Sequence, residues 1–251
     1  MNLWHATAIF AAGVGAGGIN ALVGSGSLIT FPTLVALGLP PVVANVSNNV
    51  GLVPGSATGT YGYRRELTGQ GARLLRLGSA SLLGSLLGAI LLISLPAQAF
   101  KIIVPVLIVI ALVLVMVQPR LNAWLTARRE TPHAHGGPWL WLGVFAAGVY
   151  GGYFGAAQGI ILTALLGIFL DDGLQRINGA KNALSGIVNA TAAVLFVFIA
   201  PINWLAVLLI ALGSALGGFV GASTGRKLPP VVLRGIIVVV GVVAIVKLVL
   251  G

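Results

Sequence analysis

The sequence contains no cysteine among its 251 residues, which excludes disulfide bonds and thiolate metal sites. Charge is also scarce: 7% of the residues are Asp, Glu, Lys or Arg, whereas a typical soluble domain carries about 25%. So few charged side chains could not cover the surface of a soluble core of this size. The composition therefore points away from a soluble protein.

The few acidic residues and histidines all lie outside the apolar stretches of the chain. They are Glu66, Glu130, Asp171, Asp172, His5, His133 and His135. The two histidines of the segment TPHAHGG are better explained by a solvated loop than by a weak metal site. No buried base, nucleophile or metal ligand remains, so the sequence indicates no enzyme, no cofactor and no metal centre.

The segment GVGAGG at 13–18 matches the spacing of a dinucleotide-binding loop, but its context is wrong. That loop needs a preceding strand and an acidic residue about 20 positions later, and neither is present. Small residues that let two membrane helices approach closely explain the segment better.

What the sequence does have is long apolar runs, with 58% hydrophobic residues overall. A helix needs about 20 apolar residues to cross a bilayer. The clearest candidate spans are 41–62, 77–95, 101–118, 139–157, 182–202, 204–225 and 231–250. The N-terminus lacks the basic residues of a signal peptide, so we interpret it as a retained first helix. The fold class predicted is an all-α polytopic membrane protein.

Most of the 14 basic residues fall into four of the predicted loops. They are Arg64, Arg65, Arg73, Arg76, Arg120, Arg128, Arg129, Arg176, Arg226, Lys227 and Arg234. The loops between these four are almost free of charge, which is the positive-inside pattern, so the basic loops are predicted to be cytoplasmic and both termini periplasmic. Topology and contact with anionic lipid explain this charge, and nucleic-acid binding is not expected.

Between two cytoplasmic loops, the segment 139–170 must enter the membrane and return with about 32 residues, where two full helices need about 40. It is therefore predicted to be a hairpin of short or broken helices, and residues 3–38 are predicted to form its counterpart with opposite polarity. Three spans follow each hairpin, which divides the chain into inverted repeats at 1–118 and 139–251 joined by a cytoplasmic linker at 119–138. Short matches support this division: AAGV at 11–14 and at 146–149, Gly26 before SLIT with Gly159 before IILT, and ANVSNNV with NGAKNAL. Inverted repeats with broken helices are a recurrent build of secondary transporters.

The two hairpin tips, VGSGS at 23–27 and AAQG at 156–159, are candidate anion-binding segments. Each begins a second arm, whose N-terminus leaves N–H groups unpaired and carries about half a positive charge. Side-chain donors and close backbone approach would come from Ser25, Gly26, Ser27, Gln158 and Gly159. The alternative is that these residues only turn the chain.

Lys181 is the one lysine that the sequence places near the start of a span with polar neighbours, in NGAKNALSG. An ionisable residue in a membrane segment is a functional hypothesis by default. The alternative is a lysine that extends to the cytoplasmic interface. Nearby amides complete the candidate substrate site: Asn20, Asn45, Asn48, Asn49 and Asn182. For each asparagine, hydrogen bonding between helices is the alternative role.

The chain resembles the TauE/SafE family of sulfite exporters over nearly its whole length. In the first half, the resemblance lies in AGGINALVGSGSLITFPTLVALGLPPVVANVSNNVGLVPGSATGTYGYRREL, a Gly-rich segment followed by an Asn- and Ser-rich stretch and a basic loop. In the second half, it extends from GGYFGAAQGI to the tail RKLPPVVLR. VGSGS departs from the longer glycine run that is common in the family. The resemblance implies transport of small sulfur-containing anions such as sulfite or organosulfonates.

These observations together predict a secondary transporter of the inner membrane that exports a small sulfur-containing anion by alternating access around a midplane site. A cavity rich in donors and free of acids disfavours cations. A passive anion channel, a carrier of a non-sulfur organic anion and a non-transporting scaffold are the alternatives. The expected partners are the anion and the lipid bilayer, with a homodimer left open.

Overall fold

The computed structural model describes residues 3–127 and 136–224, together with the isolated positions 235, 238, 239 and 242. In that part of the chain all regular secondary structure is helical. The helices are α1 (Leu3–Leu22), α2 (Ser27–Ala36), α3 (Pro41–Gly62), α4 (Gly71–Ser94), α5 (Ala97–Ala127), α6 (Gly137–Tyr153), α7 (Gln158–Phe169), α8 (Leu174–Ile199) and α9 (Trp204–Thr224). The predicted span 231–250, apart from the isolated positions, lies outside the described residues, as do Arg226, Lys227, Arg234 and residues 128–135 of the linker.

Five of these helices contain a segment long and apolar enough to cross a membrane. The segments are Leu3–Leu22, Gly71–Ser94, Gln98–Leu121, Leu174–Ile199 and Trp204–Ser223. Helix α3 has the length, with 22 residues, but its Asn, Ser and Thr side chains make it less apolar. The prediction of an all-α, multi-pass membrane protein is confirmed.

Each predicted hairpin consists of one longer and one shorter helix. Helices α2 and α7 have 10 and 12 residues, so at about 1.5 Å per residue they are too short to cross a hydrocarbon core of about 30 Å. The expectation of short arms was wrong for α1, which has 20 residues. A run of alanine and glycine without charge lets α1 continue as one helix up to the tip.

Three helix boundaries differ from the predicted ones. Helix α8 begins at Leu174, just after Gly173, so Lys181 and Asn182 lie about two turns inside the helix and not at its start. Helix α4 begins at Gly71, which places Arg73 and Arg76 on its first turns. Helix α5 continues through Pro119 to Ala127 and includes the first part of the predicted linker. In all three places the added turns contain arginine, a polar residue with good helix propensity.

Glycines set the closest helix pairs. Helices α1 and α9 run parallel, because Gly13 lies against Ile210 and, one turn later, Gly17 lies against Ser214. Helices α6 and α4 pack in the same way, and α3 also lies along α9. The hairpin helix of each sequence half therefore packs most extensively on a long helix of the other half.

Candidate functional site

Both hairpin tips end their first helix with the same backbone geometry. They differ just before the second arm, where Gly26 is right-handed and Ala157 has a left-handed φ of 59°. At the first tip, Val23 and Gly24 both donate their N–H groups to the carbonyl of Ile19, and Gly24 has a φ of +84°. At the second tip, Phe154 and Gly155 donate to the carbonyl of Tyr150, and Gly155 has a φ of +78°. A left-handed glycine is the usual end of an α-helix, because it needs no Cβ.

This geometry changes the register in which the two tips correspond. Gly24 is equivalent to Gly155, and the second arm begins three residues later in both cases, at Ser27 and at Gln158. The predicted pairing of Gly26 with Gly159 is therefore shifted by two residues. The starts of both arms are near where the sequence predicted them, and neither start has a side-chain cap.

The two tips touch each other. The N–H group of Gly159 donates to the carbonyl oxygen of Gly24 over 3.0 Å. A Cβ atom at Gly159 would lie 3.1 Å from that oxygen and 3.1 Å from Cδ of Lys181. Only glycine fits this contact, which we call the tip junction (Gly24 and Gly159). The Gly159 N–H group, which the sequence predicted to bind an anion, is therefore already hydrogen-bonded to Gly24.

Lys181 and Asn182 hold the end of α1 at the tip junction. The Lys181 ammonium donates to the carbonyl oxygens of Asn20 and Ala21 at 3.1 and 3.0 Å, and the Asn182 amide donates to that of Ala21 at 3.0 Å. Lys181 is 0% exposed, so it does not extend to the membrane interface. Its partners in the described chain are neutral carbonyl groups, and none is a carboxylate. In its protonated form, Lys181 is therefore a buried charge that an anion would neutralise.

Asn48 holds the start of the second arm at the first tip. Its amide N–H donates to Oγ of Ser27 at 3.1 Å, and its amide oxygen accepts a short hydrogen bond from the Thr30 hydroxyl. Sequence reasoning did not single out Thr30. The signal was present, because Thr30 lies three residues after Ser27 and therefore on the same face of α2.

Asn45 plays the corresponding part at the second tip. Its amide donates to the carbonyl oxygen of Tyr153, the last residue of α6, at 3.0 Å. Tyr153 was also missed, and no sequence signal identifies it, because the contact is made by its backbone. Phe154 beside it packs edge-on against Phe31 of α2, with ring centroids 5.2 Å apart, and Phe100 of α5 joins the same cluster. This aromatic cluster covers one side of the tips.

Several buried polar atoms near the tips have no hydrogen-bond partner in the described part of the chain. They are Oγ of Ser25, Nε2 of Gln158, Oδ1 of Asn49 and the hydroxyl of Tyr153. Ser25 is 1% exposed and Gln158 3%. Buried polar groups are nearly always paired, so unpaired ones indicate a ligand or water.

The structure thus brings most of the predicted site residues to one place. Asn45, Asn48, Lys181 and Asn182 contact the tips directly, and Gln158 begins α7 with its side chain over Gly151. Asn20 takes part through its carbonyl oxygen, not through a side-chain hydrogen bond. For Asn49 the structure gives a buried, unpaired amide oxygen one helix position beyond Asn48.

Gly26 has a structural part in the tip. It has a right-handed backbone, with a φ of −57°, directly before α2. A Cβ atom there would come within 3.0 Å of Cβ of Asn20. The position therefore allows α2 to fold back closely against α1.

A second polar group lies at the predicted cytoplasmic end of α4, α7 and α8. Asp172 pairs with Arg176 at 3.0 Å and, more closely, with Arg73. Burial raises the pKa of the Asp172 carboxyl, but the hydrogen bonds and charges of the two arginines outweigh it and hold the pKa below its usual value. Gln70 donates to the carbonyl of Arg176 at 3.3 Å and so ties the α3–α4 loop to α8. Within the described ranges, no three His, Cys, Asp or Glu residues group as a metal site.

Comparison with known proteins places this sequence in a family. The family model for "Sulfite exporter TauE/SafE" matches residues 9–248. The "Probable membrane transporter protein YfcA" of Escherichia coli (strain K12) is 27% identical over 238 residues, which are 93% of this chain and 85% of that protein. "Probable membrane transporter protein ORF9" of Sinorhizobium sp is 26% identical over 240 residues, covering 96% and 90%. A "Probable membrane transporter protein" of Haemophilus influenzae is 25% identical over 244 residues, covering 96% and 93%. No solved structure matches the chain.

Proposed function

The chain belongs to the TauE/SafE sulfite exporter family and is a membrane transporter, and from this premise we propose what it carries and how. The proposed function is export of a small sulfur-containing anion, such as sulfite or an organosulfonate, across the bacterial inner membrane. Transport is secondary and proceeds by alternating access. The anion binds at the tip junction, between the two hairpins.

The observation that carries this proposal is the environment of Lys181. Among the described residues, the fully buried amino group of Lys181 is bonded to two neutral carbonyl groups and has no acidic partner. Taking an isolated charge out of water is costly, and an anion beside it offsets that cost. Asp172, the acidic residue nearest to Lys181 along the chain, is already bonded to Arg73 and Arg176. A bound anion is therefore the natural partner for Lys181.

Unpaired donors at the tips support an oxyanion over a halide. The Nε2 group of Gln158 and the hydroxyl of Ser25 are buried and available, and both flank the glycine junction. The Lys181 side chain runs past Gly159, next to Gln158. Several donors that converge from different directions suit the several oxygens of a sulfite or sulfonate group. Two uncapped helix starts add favourable N-terminal dipoles.

Two structural features support inverted repeats at 1–118 and 139–251. Both hairpins end their first helix with the same glycine cap and begin the second helix three residues later. The parallel pair of α1 and α9 has a counterpart in the parallel pair of α6 and α4. Both pairings are what a two-fold relation between the halves requires. Such repeats around a central site are the usual basis of alternating access.

The proposed topology has a periplasmic N-terminus and cytoplasmic basic loops. The cysteine-free chain allows single cysteines to report it. Trp4 at the start of α1 and Ala127 at the end of α5 are exposed positions at opposite predicted sides. We expect Trp4→Cys to react with an impermeant maleimide in intact spheroplasts, and Ala127→Cys only after lysis. Reaction of both from the same side would contradict the topology and the inverted repeat.

Uptake by proteoliposomes tests the proposed function itself. Vesicles loaded with unlabelled sulfoacetate or sulfite should accumulate the same labelled anion transiently, by saturable counterflow. Flux that does not saturate would indicate a channel, and absence of flux with correctly inserted protein would indicate a scaffold. Carboxylate analogues such as malonate serve as the comparison, and preference for them would assign a non-sulfur organic anion instead.

A further inference from the structure

Three helices form a first tightly packed unit: α1 and α3 from the first half of the sequence and α9 from the second. A Cβ atom added at Gly17 of α1 would lie 2.8 Å from the backbone nitrogen of Gly218 in α9. One added at Gly55 of α3 would lie 2.8 Å from the carbonyl oxygen of Ser214. Real side chains do not fit at such distances, so these backbones are in direct contact. We call α1, α3 and α9 the first body.

Helices α4, α6 and α8 form a second such unit, again with members of both halves. A Cβ atom at Gly84 of α4 would lie 3.0 Å from the backbone nitrogen of Val149 in α6. Ser85 of α4 donates to the carbonyl of Val188 in α8 at 2.7 Å. Leu77 of α4, Val144 of α6 and Leu184 of α8 share one hydrophobic cluster with α7. Ala89 of α4 and Phe196 of α8 belong to the large cluster that also contains residues of α1, α3 and α9.

Beside the tip junction the two bodies are held together by hydrogen bonds, from Lys181 and Asn182 of α8 to the end of α1 and from Asn45 of α3 to the end of α6. Away from the tips, their contact has a different character. Along α3 and α8, a Cβ atom at Gly186 would lie 3.6 Å from Cβ of Ser56, which is ordinary van der Waals contact between side chains. Asn189 donates to Oγ of Ser56 at 3.0 Å, and the buried hydroxyl of Ser185 has no partner in the described segments. We call this contact the seam (Ser56, Ser185, Gly186 and Asn189). Small hydroxyl and amide side chains can exchange partners when one surface slides on another.

We propose that the parts that move in transport are the two exchanged bodies and not the two halves of the sequence. Helix α9 moves with α1 and α3, and α4 moves with α6 and α8. Interdigitated backbones cannot shear without opening voids, whereas the looser seam can slide. The tip junction lies between the bodies and is the pivot. This inference rests on alternating access as part of the proposed function, but it does not depend on which anion is carried.

Spin-label distances separate the exchanged bodies from rigid sequence halves. Pairs of exposed residues in the cysteine-free chain serve as label sites, all near helix ends. In the pair Tyr61→Cys and Leu75→Cys, both labels lie in the first sequence half, but one lies in the first body and the other in the second. Two further pairs place their labels in different sequence halves but in the same body. They are Trp4→Cys with Leu205→Cys and Leu75→Cys with Trp139→Cys. Distances are measured in nanodiscs without anion, with sulfite and with sulfoacetate.

The expected result is two distance populations, or a shift between conditions, for Tyr61 with Leu75, and a single narrow distance for the other two pairs. The reverse pattern would show that the sequence halves move as units and would overturn the proposal. A single unchanged distance for all three pairs would overturn it as well. If neither anion binds but Tyr61 and Leu75 still show two populations, the substrate assignment fails and the exchanged bodies remain.

A disulfide across the seam gives a functional readout. The Cβ separation of 3.6 Å between Ser56 and Gly186 suits the variant Ser56→Cys/Gly186→Cys, because disulfides span about 3.5–4.5 Å. Oxidation should abolish anion counterflow, and dithiothreitol should restore it. The reduced form of the same variant is the control for folding. Full counterflow after complete oxidation would show that the seam does not move.

Discussion

The first hairpin tip turns through Gly24, Ser25 and Gly26, and the second turns through Gly155, Ala156 and Ala157. Both tips end a helix with the same pair of backbone hydrogen bonds, and both begin a short uncapped helix. The side chains that hold them differ. Carbonyl groups at the end of α1 accept hydrogen bonds from the amino group of Lys181 and the amide of Asn182. At the end of α6, the carbonyl group of Tyr153 accepts one from the amide of Asn45.

This difference teaches that backbone shape and charge are set separately in the two halves. A left-handed glycine suffices to end the first helix of each hairpin, whatever residues follow it. Charge enters at the first tip, where the Lys181 ammonium meets the negative end of the α1 dipole. The two tips therefore share the glycine that ends the first helix and differ in their electrostatics, and the variants below test one property at a time.

The largest effect is expected where the two tips meet. Gly24→Ala adds a Cβ atom that would lie 2.9 Å from the backbone carbon of Gly159, at a residue with a left-handed φ. We expect a loss of about 2–5 kcal/mol of stability, because steric overlap and backbone strain add. The melting temperature of the purified protein measures it.

Gly38→Ala is the matched control for Gly24→Ala. Gly38 also has a left-handed φ, of +92°, but a Cβ atom there would meet nothing within 4 Å. It should cost about 1–2 kcal/mol, from backbone strain alone. Equal losses for the two variants would show that the contact between the tips is not tight.

The asparagines of α3 test whether the two tips are held with equal strength. Asn48→Ala removes two hydrogen bonds at the start of α2, and Asn45→Ala removes one at the end of α6. At about 1 kcal/mol for each bond, the losses should be about 2 and about 1 kcal/mol. Thermal denaturation in one detergent compares them. A larger loss of stability for Asn45→Ala would show that the second tip is held more strongly than the first.

Asp172→Asn measures what an ion pair far from the tips contributes to stability. We expect a loss of about 1 kcal/mol, because a partly exposed ion pair with Arg73 and Arg176 disappears. Since the pKa of Asp172 is lowered in the folded state, its contribution is complete at neutral pH and is lost as the pH falls below its ordinary value of 3.8. The difference in melting temperature from the wild type should therefore be constant from about pH 5 to 8. A difference that shrinks already near pH 6 would contradict this assignment.

Of the two serines at the first tip, Ser25 is expected to give the smallest change in stability of all these variants. The hydroxyl of Ser25 has no partner in the described chain, whereas that of Ser27 accepts a bond from Asn48. Ser25→Ala should change stability by less than about 0.5 kcal/mol and weaken anion binding, and Ser27→Ala should cost about 1 kcal/mol. Melting curves with and without sulfite measure both effects. Unchanged anion stabilisation in Ser25→Ala would mean that Ser25 only turns the chain.

Much of this fold could be predicted from the sequence because its signals are local. Glycine and serine in an apolar run indicate the first tip, and α2 does begin at Ser27. The start of α7 at Gln158 likewise lies inside the predicted segment. The position of Lys181 was wrong by about two turns, because polar residues at a helix end do not show whether the helix includes them.

Contacts between distant segments could not be predicted in the same way. Nothing in the order of residues shows that Gly159 bonds to Gly24, or that the carbonyl of Tyr153 accepts a bond from Asn45. Such contacts depend on how α9 and α4 pack on the opposite hairpin helices, and glycine spacing alone does not name a partner. The candidate site was thus predictable as a set of residues but not as a set of bonds.

An anion titration of Lys181 variants tests the central claim most directly. Sulfite and sulfoacetate are titrated into the wild type, Lys181→Ala, Lys181→Arg and Lys101→Ala, with Lys101 as an exposed lysine of α5 outside the site. The account predicts about 10- to 100-fold weaker binding for Lys181→Ala, partial retention for Lys181→Arg and no change for Lys101→Ala, since a charge-assisted hydrogen bond is lost only at Lys181. Wild-type affinity in Lys181→Ala would contradict it.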